Sequence, residues 1–165
     1  MMKRVHYYLI CFVAAALSAC AVVPPFSEEA LQGVNRTLTA EQAVKGDTRD
    51  VQVLWGGIII GAENKPNFTD ITVLYYPLDN SQQPDVDKPA QNRFVVRHAG
   101  YLETMVYAPG REITVIGTLQ DVEEGKVGDA SYRFPVLKAD KIYLWPLGEN
   151  SRVRFGVGVG VGVHM

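Results

Sequence analysis

The chain has 165 residues, 16 of them basic and 18 acidic, for a formal net charge of −2 with histidine neutral. That length suits one domain with a single hydrophobic core. The mildly acidic balance lacks the basic footprint with which a nucleic-acid binder neutralises phosphates, so nucleic acid is excluded as a partner.

Lys3 and Arg4 open the chain with positive charge, Tyr8 to Leu17 form an apolar run, and small Ser18 and Ala19 precede Cys20 in the order LSAC. This is the layout of a secretory signal, and a cysteine at the cleavage point makes it a lipoprotein signal. Residues 1–19 are therefore expected to leave by cleavage between Ala19 and Cys20, with Cys20 then carrying palmitate-type chains. The competing readings are a buried free cysteine and an uncleaved transmembrane anchor. Against the second, the apolar run is shorter than the roughly 20 residues that span a bilayer, and Pro24-Pro25 follows it. Several acyl chains on one residue anchor firmly, whereas a single chain binds marginally. In Gram-negative lipoproteins an Asp after the cysteine generally means inner-membrane retention, so Ala21 points to the outer membrane. Removing 19 residues, which hold two bases and no acid, leaves 146 residues with a net charge of −4. Cys11 leaves with the signal and Cys20 is acylated, so no intrachain disulfide is available and stability rests on the core.

Residues 20–38 read as a tether, broken by Pro24-Pro25, Ser27 and Gly33. Thr39 with Gln42 fits a capping box and Gly46 a stop, which predicts a short helix over 40–45. From Asp50 the pattern is that of strands. Val51, Val53 and Trp55 alternate, and Ile58 to Ile60 follow Gly56-Gly57, a pair that allows a bend or bulge in a long first strand. Ile71, Val73 and Tyr75 alternate with Thr72, Leu74 and Tyr76 until Pro77 and a polar loop. Phe94 to His98 is the third strand. Gly100 and Pro109-Gly110 make 99–111 a short helix or an irregular crossing. Glu112 to Leu119 is the fourth strand, Glu123-Glu124-Gly125-Lys126 a polar turn, and Tyr132 to Leu144 the fifth strand, interrupted near Lys138 to Asp140. The expected fold is all-β: a small five-stranded OB-like barrel, or a strongly curved sheet, with a short N-terminal helix. Residues 39–148 form that domain and 149–165 a Gly/Val-rich tail.

The segments VLWGG at 53–57, YYPLD at 75–79, PDVD at 84–87, VIGTL at 115–119 and LWP at 144–146, in this order behind LSAC, resemble the Slp family of bacterial outer-membrane lipoproteins. The resemblance covers roughly residues 20–147. It implies an outer-membrane location and an association with starvation and stress. It brings no catalytic residues with it.

Reactive groups are sparse. His98 and His164 are the only histidines left after the signal, too few for a histidine metal cluster. His98 beside Arg97 is either a contact for an acidic ligand or a strand-end pair facing water. Asp79, Asp85 and Asp87 offer carboxylates to calcium. Their loop carries Pro84 and Pro89 and lacks the glycine and closing glutamate of an EF-hand, which favours a solvated turn. Ser81, Ser131 and Ser151 lie in no nucleophile elbow, and the pairs available among Glu103, Glu112, Glu123 and Glu124 show no sign of desolvation. The expectation is a non-enzyme without metal or organic cofactor.

Aromatic rings recur through the strands, Tyr132 and Phe134 among them. Trp55, Tyr76 and Trp145 are the candidates for stacking on a glycan or peptide, and core packing is the competing role for the same rings. The tail reads GVGVGVGV over 156–163, either an added edge strand or a mobile end. Two functions follow. One is a structural or interaction component of the envelope, anchored by lipid and facing protein or glycan partners. The other is a periplasmic glycan- or peptide-binding module. Exposure of Trp55, Tyr76 and Trp145 separates them.

Overall fold

Alternation of apolar and polar residues sets the strand faces. In β2 (Phe68–Tyr76) every second residue from Thr69 to Tyr75 is buried while its neighbours are half-buried, the period-2 pattern of a strand with one face on a core. The computed structural model describes residues 23–147, so the expectations for Ala19, Cys20 and the tail from 149 lie outside the described residues. Around β2 stand β1 (Gln52–Asn64), β3 (Arg93–Ala99), β4 (Glu112–Val127) and β5 (Ala130–Leu144), preceded by one short helix, α1 (Ala40–Lys45). The strands close a five-stranded barrel in the order β1-β2-β3-β5-β4. This is the expected OB-like architecture. All pairings are antiparallel except β3 with β5, a parallel seam of three pairs from Val95↔Val136 to Arg97↔Lys138.

β1 serves two neighbours, pairing with β4 over 52–58 and with β2 over 56–64. Gly56 and Gly57 occupy the overlap, flanked on both sides. A Cβ on Gly57 would enter the carbonyl oxygen of Leu74, and one on Gly56 would come 2.9 Å from the carbonyl oxygen of Ile113. The glycines thus let three strands approach closely. The register break lies further on, at Ile60 between Ile59 and Gly61. A second break skips Asp140 between Gly117↔Ala139 and Ile116↔Lys141, which is where the fifth strand was expected to be interrupted.

Trp55, Tyr75 and Phe94 form the centre of the core, with edge-to-face ring pairs at centroid distances of 5.8, 5.2 and 6.2 Å. Trp55 is fully buried, and its Nε1 donates to the Leu38 carbonyl at 2.7 Å, so its one polar atom is satisfied. Helix α1 is fixed by the expected capping box between Thr39 and Gln42. Its Ala40 and Ala43 join the core and close the barrel end at the start of β1. Leu102 and Tyr107, in the irregular 99–111 segment, pack on the same core from the end where β1 and β3 finish.

Two expectations are corrected. Within the expected tether, Phe26 and Leu31 are buried with Leu54 and Ile116 on the outer wall of β1 and β4. Gln82 clasps this segment, its Oε1 accepting from Phe26 N at 3.1 Å and its Nε2 donating to Phe26 O at 2.9 Å. Apolar side chains against an apolar wall outweighed the breakers Pro24-Pro25 and Gly33. Glu123 to Lys126 is strand, not turn: β4 continues to Val127 and the reversal is made by Gly128-Asp129. Gly128 has φ +60, which supplies the left-handed conformation a two-residue hairpin turn requires.

Candidate functional site

The β4–β5 hairpin runs past the barrel wall as an arm. Gly125 lies opposite Tyr132 in it, and Phe134 covers the space where a Gly125 side chain would stand, with Cε2 at 2.6 Å from the Cβ position. Tyr132 stacks on Phe134 at 5.7 Å and 28°, leaving Tyr132 43% exposed. Between this arm and α1 opens a cleft of about 420 Å³ lined by Glu41, Val44, Gln91, Asn92, Ser131, Tyr132 and Arg133. Gln91 and Asn92 are held by backbone bonds to Tyr75, Gln91 N to Tyr75 O at 3.0 Å and Tyr75 N to Asn92 O at 2.9 Å. A hydrogen bond from Lys45, and its charge, hold the Glu41 carboxyl below its usual range. The cleft thus presents one ring plane, two amides, a hydroxyl, a carboxylate and a guanidinium. That set suits a ligand rich in hydroxyl and amide groups.

A second groove, of about 460 Å³, runs beside the seam and carries Arg49, Arg97 and Lys138 against Asp50, Asp121 and Glu123. Its charges are largely paired internally. Arg97 meets Asp70 through two bonds of 2.8 Å, reaches Glu123 at 2.9 Å, and stacks over the Phe68 ring at 4.5 Å. Its hydrogen bonds to Asp70 and then to Glu123 keep this guanidinium charged even more firmly than usual. Arg49 pairs with Asp121 at 3.0 Å. Such a groove offers little uncompensated charge to an ionic ligand.

The sequence-predicted site residues divide. Trp55 is at the core centre and Trp145 is 8% exposed, its Nε1 bonded to Thr114 Oγ1 at 2.9 Å; neither ring face is open to a ligand. Tyr76 is half-buried at the end of β2 and lines neither cleft. The three rings do not form one face. Arg97 and His98 point to opposite sides of β3, so they are not a joint contact for an acidic ligand. His98 Nδ1 is buried without a hydrogen-bond partner among the described residues. Asp79 caps its own loop, accepting from Ser81 N, Ser81 Oγ and Gln83 N at 2.8, 2.7 and 3.0 Å. Burial pushes this carboxyl up, but those bonds and the charge of Lys88 outweigh it and leave it below the ordinary value. Asp85 pairs with Lys88 at 2.9 Å. Among the described residues no three His, Cys, Asp or Glu side chains gather as metal ligands. The cleft residues Glu41, Gln91 and Asn92 carried no sequence signal. Tyr132 and Phe134 did, as rings two apart on one face of the expected fifth strand.

The sequence profile of the outer membrane lipoprotein Slp family matches residues 17–158. The chain belongs to this family. Membership makes it an outer-membrane lipoprotein, and among the described residues no helix is long and apolar enough to cross a membrane. The outer membrane protein Slp of Escherichia coli K12 is 26% identical over 142 residues, 86% of this chain and 75% of that protein. The Escherichia coli K12 protein described as uncharacterized lipoprotein YeaY is 26% identical over 141 residues, 83% of this chain and 70% of that one. Among solved structures, a small single-stranded DNA-binding protein from Streptomyces coelicolor aligns at TM-score 0.35 and 15% identity, over 58% of this chain and 94% of that one. A score that low carries no argument about ligand.

Proposed function

We propose that this chain is a non-enzymatic lipoprotein, cleaved after Ala19 and acylated at Cys20, that acts as a structural or interaction component of the outer membrane during starvation or stress. The observation that carries the anchoring is the LSAC signal, placed at the start of the family match. The clasped Phe26 supports it, because only five residues, Ala21 to Pro25, separate the cysteine from a packed side chain and the barrel is held close to its anchor. The acidic charge argues against nucleic acid, and the scattered histidines and serines argue against catalysis. The test is metabolic labelling with a palmitate analogue, followed by membrane fractionation. Wild type is expected to label and float with the outer membrane, and Cys20→Ala to remain unprocessed. An unlabelled wild type refutes the anchor.

The cleft at Tyr132 favours a second reading, a glycan-binding module in the periplasm. OB-type barrels use the β4–β5 loop region for oligosaccharides, and an exposed ring stacked on a second ring is a firm platform for a sugar face. Calorimetric titration with peptidoglycan fragments tests it, with Tyr132→Ala expected to abolish the binding heat. No heat with wild type removes this reading.

A further inference from the structure

The cleft at Tyr132 does not end at Gln91. A further groove, of about 430 Å³, opens on the other side of that residue, between the clasped N-terminal segment and the loop after β2. Gln91 lines both spaces. At the start of α1, Thr39 lines the groove and Glu41, two positions on, lines the cleft. The two are therefore neighbouring lengths of one furrow.

The groove holds a feature that core packing does not explain. The Tyr75 ring sits edge-to-face against Trp55 and Phe94, a role a phenylalanine would fill equally well. Its hydroxyl is not among the sealed polar atoms of the barrel, and Tyr75 lines the groove, so the hydroxyl is the atom it presents there. Burial pushes the pKa of this hydroxyl up, which keeps it a neutral donor and acceptor. The side chains of Asn80 and Gln91 are exposed along the same groove. Its charges are already matched: Arg36 meets Glu28 at 2.6 Å, and Asp79 is held by Ser81 and Gln83 of its own loop. What remains for a ligand is a hydroxyl and carboxamides, with the stacked ring of Tyr132 at the far end of the furrow. Carboxamides bond amide groups as both donor and acceptor, and an exposed ring offers a face to a sugar.

We propose that cleft and groove together hold one linear N-acetylated glycan strand, stacked on Tyr132 at one end, passed along Gln91, and hydrogen-bonded by Tyr75 and Asn80 at the other. The inference rests on the reading of the Tyr132 cleft as a glycan site and adds to it a requirement for length. The wall of the groove includes the segment that leads to Cys20: Pro24 lines it, as does Gln82, whose side chain clasps Phe26. The far end of the site is thus complete only when that segment is docked on the barrel.

The test is calorimetric titration of the full-length protein, taken from the membrane in detergent, with N-acetylglucosamine oligomers of two, four and six sugars. The hexamer is expected to bind at least about tenfold tighter than the dimer, beyond the roughly threefold gain that repeating one unit along a chain supplies. Tyr75→Phe removes one oxygen and keeps the core ring, and is expected to cut that ratio about fivefold. Asn80→Ala, on the exposed loop, is expected to act in the same direction and carries the test if the core change disturbs folding. A gain of about threefold or less overturns the shared furrow and leaves the Tyr132 reading standing. A larger gain that both variants retain overturns the assignment of Tyr75 and Asn80 to its far end. No heat with any length removes both readings, and heat only with the peptide stems of peptidoglycan overturns the glycan in favour of a peptide.

Discussion

Gly57 is the position where one methyl group should do most damage. It is paired with Tyr75 on one side and Ile113 on the other. In Gly57→Ala the new carbon would enter the Leu74 carbonyl oxygen and come 2.9 Å from Val73 Cγ1. Neither atom is the free end of a flexible side chain, so β1 and β2 must separate. Weakening one or two ladder bonds costs about 1 kcal/mol each, and displacing packed Val73 adds about 1–2 kcal/mol of overpacking strain. The loss of denatured-state freedom returns only about 0.4–1 kcal/mol. The net expectation is a loss of about 2–3 kcal/mol, a large part of the 5–15 kcal/mol that holds a typical domain. Gly61→Ala in the same strand is the control. Nothing lies within 4 Å of its Cβ position, so the entropic term alone should make it neutral or up to about 1 kcal/mol more stable. Urea unfolding of a chain starting at residue 21, followed by the fluorescence of buried Trp55 and Trp145, measures both. A Gly57→Ala variant within about 0.5 kcal/mol of wild type would refute the close-approach argument.

Val115 is fully buried in β4, and Val115→Asp should cost several kcal/mol through an unpaired core charge; a folded circular dichroism spectrum with an unchanged melting temperature contradicts the assignment. Arg97 should couple to Asp70 by about 1–2 kcal/mol and to the more exposed Glu123 by less than about 1 kcal/mol. Double-mutant cycles test this ranking, and a stronger Glu123 coupling reverses it. Asp79 has a folded pKa below the ordinary carboxylate value, so its contribution is present above the unfolded carboxylate range and is lost as pH falls through the lowered folded value. Asp79→Asn should therefore flatten the acid limb of the stability curve. An unchanged limb, measured by urea midpoints across that range, removes Asp79 as a contributor.

Much of the barrel was readable because the forces that make it are local. The Thr39–Gln42 box marked α1 to the residue, and the period-2 pattern from Ile71 to Tyr76 marked a half-buried strand. The order of five strands with an irregular crossing before the fourth pointed to the closed topology. What failed depended on partners far along the chain. Glu123 reads as turn by composition, yet it is held in strand by pairing with Phe134 and by Arg97, 26 positions away. Phe26 and Leu31 lack any period, and their burial depends on a wall built from Leu54 and Ile116. The candidate rings failed for a related reason. A tryptophan suits a ligand face and a core equally well in sequence, and the Leu38 carbonyl that satisfies Trp55 comes from 17 residues upstream. Tyr132 owes its exposure to an arm longer than the predicted strand.

The three-pair seam between β3 and β5 has a kinetic consequence. Val95 and Val136 are 41 positions apart, while the β4–β5 hairpin closes across two residues. Loop-closure entropy favours the hairpins first, so the cylinder should form as an open sheet whose last act is to zip β3 onto β5. The ion pair that bridges the finished seam, Arg97 of β3 with Glu123 of β4, would then be absent from the rate-limiting state. Removing it should leave the folding rate nearly unchanged and speed unfolding, making this line the place where the barrel first reopens.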